Sequence, residues 1–167
     1  MTPTSYRNQV AQLAKTNVLK ATEVAKKIND PWFHAQAWSH LARYADEPLP
    51  FARKAAKSAA EGNDDYQRSA VRAWEIAALA ERKLFEHARG SLAEALEVAA
   101  SVTPVSSRAE SLVLLFQAAF KISKQDAAGA AEVLRNVCTS THWRSKRALK
   151  DVGMMLSGER PPREFFW

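Results

Sequence analysis

The chain has 167 residues and a net charge of +6, with 47% hydrophobic, 25% charged and only five glycine residues. That balance describes one compact domain or one short array of repeats, and it excludes both a disordered chain and a pair of full-sized domains. A single cysteine, Cys138, excludes an internal disulfide, and the most apolar run, SLVLLFQAAF at 111–120, is far shorter than the roughly 20 residues a membrane-spanning helix needs.

The opening residues, MTPTSYRNQVAQLAK, lack the apolar centre of a secretory signal, so a cytoplasmic protein is expected. Within them Val10, Leu13 and Ala14 fall on one side of a helix. Residues 1–16 therefore read as an N-terminal capping segment, with a break in the helix near KTN.

From 17 to 157 the chain alternates turn-forming clusters with helix-length intervals. NDP (29–31), DEPLP (46–50), EGNDD (61–65), SVTP (101–104), SKQD (123–126) and CTST (138–141) are the punctuation. The stretches between them are rich in Ala, Leu, Lys, Arg and Glu, which lose little rotamer freedom in a helix. Two series of short signatures recur in step. The first is ATEVA (21–25), AKSAA (56–60), ALEVA (95–99) and AAEVL (130–134), with starts 35, 39 and 35 residues apart. The second is LARYA (41–45), IAALA (76–80) and LFQAA (115–119), with starts 35 and 39 residues apart. A degraded fourth copy fits LKDVGMML (149–156), where Leu149, Val152 and Leu156 stand for Leu112, Leu115 and Ala119.

This is the pattern of helical hairpins that each leave an apolar face for the next hairpin to cover. Ala25, Ala42, Ala60 and Ala77 are expected at close helix approaches, with Leu41, Ile76, Leu115 and Val152 filling the layer between pairs. Two-helix repeats near 35 residues resemble the tetratricopeptide class and, more loosely, HEAT-type solenoids. The resemblance spans about residues 17–157. It lacks the tetratricopeptide pattern of Trp, Leu-Gly and Tyr in the first helix and the regular proline closing each repeat. It implies an all-α fold of antiparallel helix hairpins, about four pairs, stacked in a right-handed α-α superhelix whose first helices line a concave surface.

Residues 158–167, GERPPREFFW, form a tail that Pro161 and Pro162 bar from continuing the last helix. Its aromatics Phe165, Phe166 and Trp167 are expected to seal the apolar end of the last repeat or to join two copies in a homodimer, ahead of docking into a partner.

Nothing in the chain points to catalysis. It has no Gly-rich phosphate loop, nucleophile elbow or zinc-protease helix. The four histidines are scattered, and His34 and His40 fall on different helical faces. Cys138 and His142 have a spacing that two metal ligands use but lack further ligands, so a turn is the better account. Asp64 and Asp65 suit a helix cap. The expectation is a protein without enzymatic activity, cofactor or metal.

Two basic clusters remain. Lys20, Lys27, Arg53 and Lys57 belong to first-position helices, where they either face a groove or simply solubilise the surface. Trp143, Lys146, Arg147 and Lys150 share a face of the last helix. There Trp143 is expected to be a core aromatic like Trp32, Trp38 and Trp74, although an exposed tryptophan beside cations would suit a nucleic-acid base. The function expected is a protein–protein interaction or scaffold module whose groove binds a partner segment, favouring an acidic one. The alternative is a nucleic-acid-binding protein that uses these basic surfaces. No membrane association is expected.

Overall fold

A computed structural model describes residues 1–139 and 141–166. Ser140, within the CTST turn, and Trp167, at the end of the tail, lie outside the described residues. The fold is all-helical: α1 (Pro3–Leu13), α2 (Val18–Ala25), α3 (Pro31–Tyr44), α4 (Pro48–Ala60), α5 (Asp65–Ala70), α6 (Arg72–Glu81), α7 (Phe85–Ala100), α8 (Val105–Ile122), α9 (Lys124–Val137) and α10 (Trp143–Leu156). No helix among the described residues is long and apolar enough to cross a membrane.

Local chemistry sets most of the boundaries. Thr2, Asn17, Asp30, Asp64 and Ser123 each accept a hydrogen bond from a backbone N–H in the first turn of the helix they precede, satisfying donors that have no partner within the helix. Pro3, Pro31 and Pro48 sit in first turns, where a missing N–H costs nothing. The connection between α6 and α7 has no such marker. Arg82-Lys83-Leu84 turns the chain with Lys83 in the left-handed region, φ 59°. Arg82 donates from one guanidinium nitrogen to the carbonyls of Ala42, Arg43 and Ala45 at 3.1, 3.2 and 2.7 Å. It thus satisfies the C-terminal carbonyls of α3 from a distant part of the chain.

Packing follows a regular order. Consecutive helices joined by short connections fold onto each other, α3 on α4, α6 on α7 and α8 on α9. Contacts also run from α3 to α6, from α6 to α8 and from α8 to α10, while α1 and α2 pack on α3. The main core runs from Ala35 and Ala42 through Trp74, Ile76 and Leu79 to Leu112, Leu115, Phe116 and Leu134. A second cluster joins Val10 and Ala14 of the N-terminal segment to Ala21, Ala25, Trp38 and Leu41.

Two details differ from the sequence reading. Ala60 is exposed, and the buried alanines of α4 are Ala52, Ala55 and Ala59. The signature there starts one residue earlier than AKSAA, because the run AAKSAA offers alanine on both sides and only packing chooses between them. On α10, Val152 is buried as expected, but Leu149 and Leu156 are half-buried, and Ser145, Ala148 and Met155 turn inward instead. The described part of the tail turns back over α8, α6 and α3, with Phe165 in the main core; Trp167, the third aromatic of the expected seal, lies outside the described residues.

Candidate functional site: an aromatic face with a groove and a docked tail

The site lies across α3, α5, α6, α8 and α10. Trp32, in the first turn of α3, stacks on Tyr66 of α5 with ring centroids 6.0 Å apart and 12° between planes. Trp32 also meets Trp74 of α6 edge-on at 5.7 Å. Trp74 in turn meets Phe165 of the tail at 5.4 Å and 81°. Edge-to-face contacts of this kind add to area burial because the positive ring edge meets a negative face.

Tyr66 is also one wall of a groove of about 450 Å³ between α5, α8 and α10. Its floor is Ala109, Val113, Leu114 and Ala148; its far wall is Trp143, Arg144, Arg147 and Asp151; Glu110 and Gln117 supply polar edges. On α8 these residues recur three and four apart, so one helical face carries them. Trp143 is 59% exposed. It is therefore not a core aromatic: His142, which caps α10, stacks on it at 6.0 Å, and the Arg144 guanidinium lies over its ring at 5.2 Å. Cations and acids alternate along this wall. Arg144 pairs with Glu110 at 2.5 Å, and Asp151 lies 3.8 Å from Arg147 and 3.1 Å from Arg160. Burial, with the Glu110 and Asp64 carboxylates nearby, raises the Tyr66 hydroxyl above its ordinary pKa and keeps it a neutral donor.

On the same side of the molecule the tail runs without regular structure to a bend at Phe165. The Arg163 N–H donates to Gln117 Oε1 at 2.8 Å, and Lys121 of α8 pairs with Glu164 at 2.8 Å. Phe165 is 1% exposed. Phe166 stands edge-on to His40 at 4.9 Å, with the Arg43 guanidinium 4.2 Å from its centroid. Arg43 is held in place by a bidentate pair with Glu81, 2.7 and 3.1 Å. Arg163 lies over both Trp74 and Phe165, at 5.4 and 5.2 Å.

Of the residues singled out from sequence, the groove brings together Trp143 and Arg147. Lys146 and Lys150 are exposed on the same helix and do not line it. Lys20 on α2, Lys27 just beyond it, and Arg53 and Lys57 on α4 are exposed and stand apart from this groove. Sequence reasoning missed Tyr66, Glu110, Val113 and Gln117, for which the spacing along α8 was the available signal. It also missed Arg163, whose role depends on where the tail lies. Cys138 is buried, and burial raises its thiol pKa, whereas His142 is exposed. Among the described residues no three His, Cys, Asp or Glu side chains converge as metal ligands. No protein-family model, curated protein or solved structure matches the chain.

Proposed function

We propose that the chain is a protein-interaction module, a short stack of helical hairpins of tetratricopeptide-like or HEAT-like architecture in a right-handed superhelix, that binds an extended partner segment on its second-position helices. The observation that carries this reading is the tail itself. A non-helical stretch is already held across α8, α6 and α3 by its two rings, a backbone hydrogen bond to Gln117 and an ion pair to Lys121. Inserted aromatic anchors with flanking polar contacts are the usual means by which a helical surface holds an extended peptide. The groove between Tyr66 and Trp143 continues along α8 from Gln117 and supplies the same elements, apolar floor and polar rim.

The test is capture by a tagged full-length chain and by its Trp143→Ala/Arg147→Glu variant at low and moderate salt. A saturable protein partner that the variant loses supports the reading; equal capture by both, or none, overturns it.

The exposure of Trp143 beside Arg144, Arg147, Lys146 and Lys150 favours a second reading, nucleic-acid binding. It ranks lower because Glu110 and Asp151 face Arg144 and Arg147 in the same groove. Affinity for an arbitrary oligonucleotide would then fall log-linearly with salt, with a slope of about 0.7 to 0.9 per phosphate contacted. No binding at low salt removes this reading.

A further inference from the structure

We infer that the surface under the tail is itself a binding site, which residues 163–166 occupy as an internal ligand, and that its external ligand is a partner's extended segment bearing an acid followed by two adjacent aromatic residues. This rests on the interaction reading and names the chemistry of the partner.

Four observations define the site. Phe165 fills a space against Trp74, and Phe166 lies between His40 and Arg43. Lys121 meets the acid that precedes them, and Gln117 accepts a backbone N–H, a contact blind to side-chain identity. A foreign segment with the same order of acid, ring and ring satisfies all four. The tail bends at Phe165, and the two rings reach different helices, Phe165 to Trp74 of α6 and Phe166 to His40 of α3, which gives two separate seats. A cavity of about 260 Å³ persists beside them, lined by Arg43, Ala77, Glu81, Lys121, Glu164 and the two phenylalanines.

The attachment of the tail is of a detachable kind. Pro161 and Pro162 have no N–H to donate. The described backbone hydrogen bonds of residues 159 and 160 go to Met154, within the cap of α10. Beyond them, Arg163 N–H to Gln117 is the only backbone hydrogen bond of the tail among the described residues. Gly158, with φ +83°, closes the cap of α10 in the left-handed region, with its N–H and that of Glu159 bonded to Met155 and Met154, so the tail proper begins after Arg160. Segments with few backbone bonds and exposed linkers open at lower free energy than the core. While tethered, the tail acts at an effective concentration on the order of millimolar, so a free segment must outcompete it or await its release.

The probe is a fluorescein-labelled peptide of residues 159–166, ERPPREFF, read by anisotropy against full-length protein. The Phe165→Ala/Phe166→Ala variant, which keeps its tail but not its anchors, is expected to bind it saturably, and the unaltered chain about tenfold more weakly or worse, through competition from the tethered tail. Adding Lys121→Glu to that variant is expected to weaken binding, and a peptide carrying Glu164→Lys to restore it. A folded variant that does not bind, or a charge reversal that the matching peptide does not rescue, overturns the inference. If the double variant does not fold, hydrogen exchange on the unaltered chain decides. Amides of residues 163–166 that open at least about a hundredfold more often than those of Ile76 and Leu115 support it, and exchange only with global unfolding overturns it. A dimer of the unaltered chain that Phe166→Ala dissociates would assign the site to a second copy and overturn the separate partner. Tail-peptide binding that survives alongside equal capture by the Trp143→Ala/Arg147→Glu variant would sink the general interaction reading alone, and the converse pair of results this inference alone.

Discussion

The ring of Phe166 closes edge-on over His40, 4.9 Å between centroids, and His40 is only 1% exposed, with neither ring nitrogen hydrogen-bonded among the described residues. An imidazole in that position is stable only when neutral. Burial, reinforced by Arg43, Arg7 and Lys15, holds its pKa down to about 3, against about 6.5 for a free histidine. The unfolded chain therefore takes up this proton at a higher pH than the folded one. The stabilisation from neutral His40 is complete above pH 6.5 and is lost progressively as pH falls from 6.5 towards 3. Between pH 7 and 4 the loss amounts to about 3 kcal/mol. Urea unfolding at both pH values measures it, and His40→Leu is expected to flatten this part of the pH dependence, leaving the contributions of the carboxylates and of His34, whose pKa burial also lowers.

Glu75 is 3% exposed and sits between Arg72, which it contacts directly, and Ser91 Oγ, which donates to it at 2.6 Å. Arg72 reaches on to Glu94 at 3.2 Å. Burial alone would lower the Arg72 pKa, but Glu75 and Glu94 outweigh it and raise the value. Removing the buried partner leaves the largely buried Arg72 with only the exposed Glu94 carboxylate and Ser91 without its acceptor, so Glu75→Ala is expected to cost about 3 kcal/mol. Glu94→Ala, whose carboxylate is largely exposed, is expected to cost under about 1 kcal/mol. Chemical denaturation of the two variants gives the comparison.

Lys83 adopts φ 59° with an exposed side chain. The left-handed region crowds the Cβ of an L-residue against the following carbonyl. Lys83→Gly is expected to stabilise the protein by about 0.5 kcal/mol, because relief of that crowding exceeds the extra entropy glycine gives the unfolded chain. A rise in Tm would bear this out. Lys83→Val should act in the opposite direction.

Trp143 is 59% exposed, so under the proposed function it is expected to serve binding more than stability. Trp143→Ala is expected to shift the unfolding free energy by no more than about 0.5 kcal/mol. The same change should abolish partner binding at the groove. Loss of stability comparable to a core truncation, about 3 kcal/mol or more, would show that the ring is buried in solution.

Much of the secondary structure was legible because its signals are local. Asp30 before Pro31, Asp64 before Asp65 and Ser123 before Lys124 mark helix starts by chemistry that needs no tertiary context. The turn at 82–84 was not legible. Arg-Lys-Leu carries none of the usual turn residues, and the turn is supported by Arg82 reaching the end of α3, about 40 positions away. The one-residue slip at AKSAA has a similar origin, since in a run of alanines hydrophobic pattern does not choose the inward side. The candidate site was half legible. Trp143 and Arg147 share a helical face by spacing alone, but the exposure of that face depends on how α10 lies on α8 and α9.

Sequence by itself determined that the chain is helical, where most of its helices begin, and which signatures recur, because capping, proline geometry and the three-to-four spacing of apolar residues act within a few positions. Tertiary structure alone decided the path of the tail, the exposure of Trp143 and the burial of His40. Each of these depends on which surfaces meet across α3, α6, α8 and α10, and that is set by the packing of whole helices rather than by any neighbour in the chain.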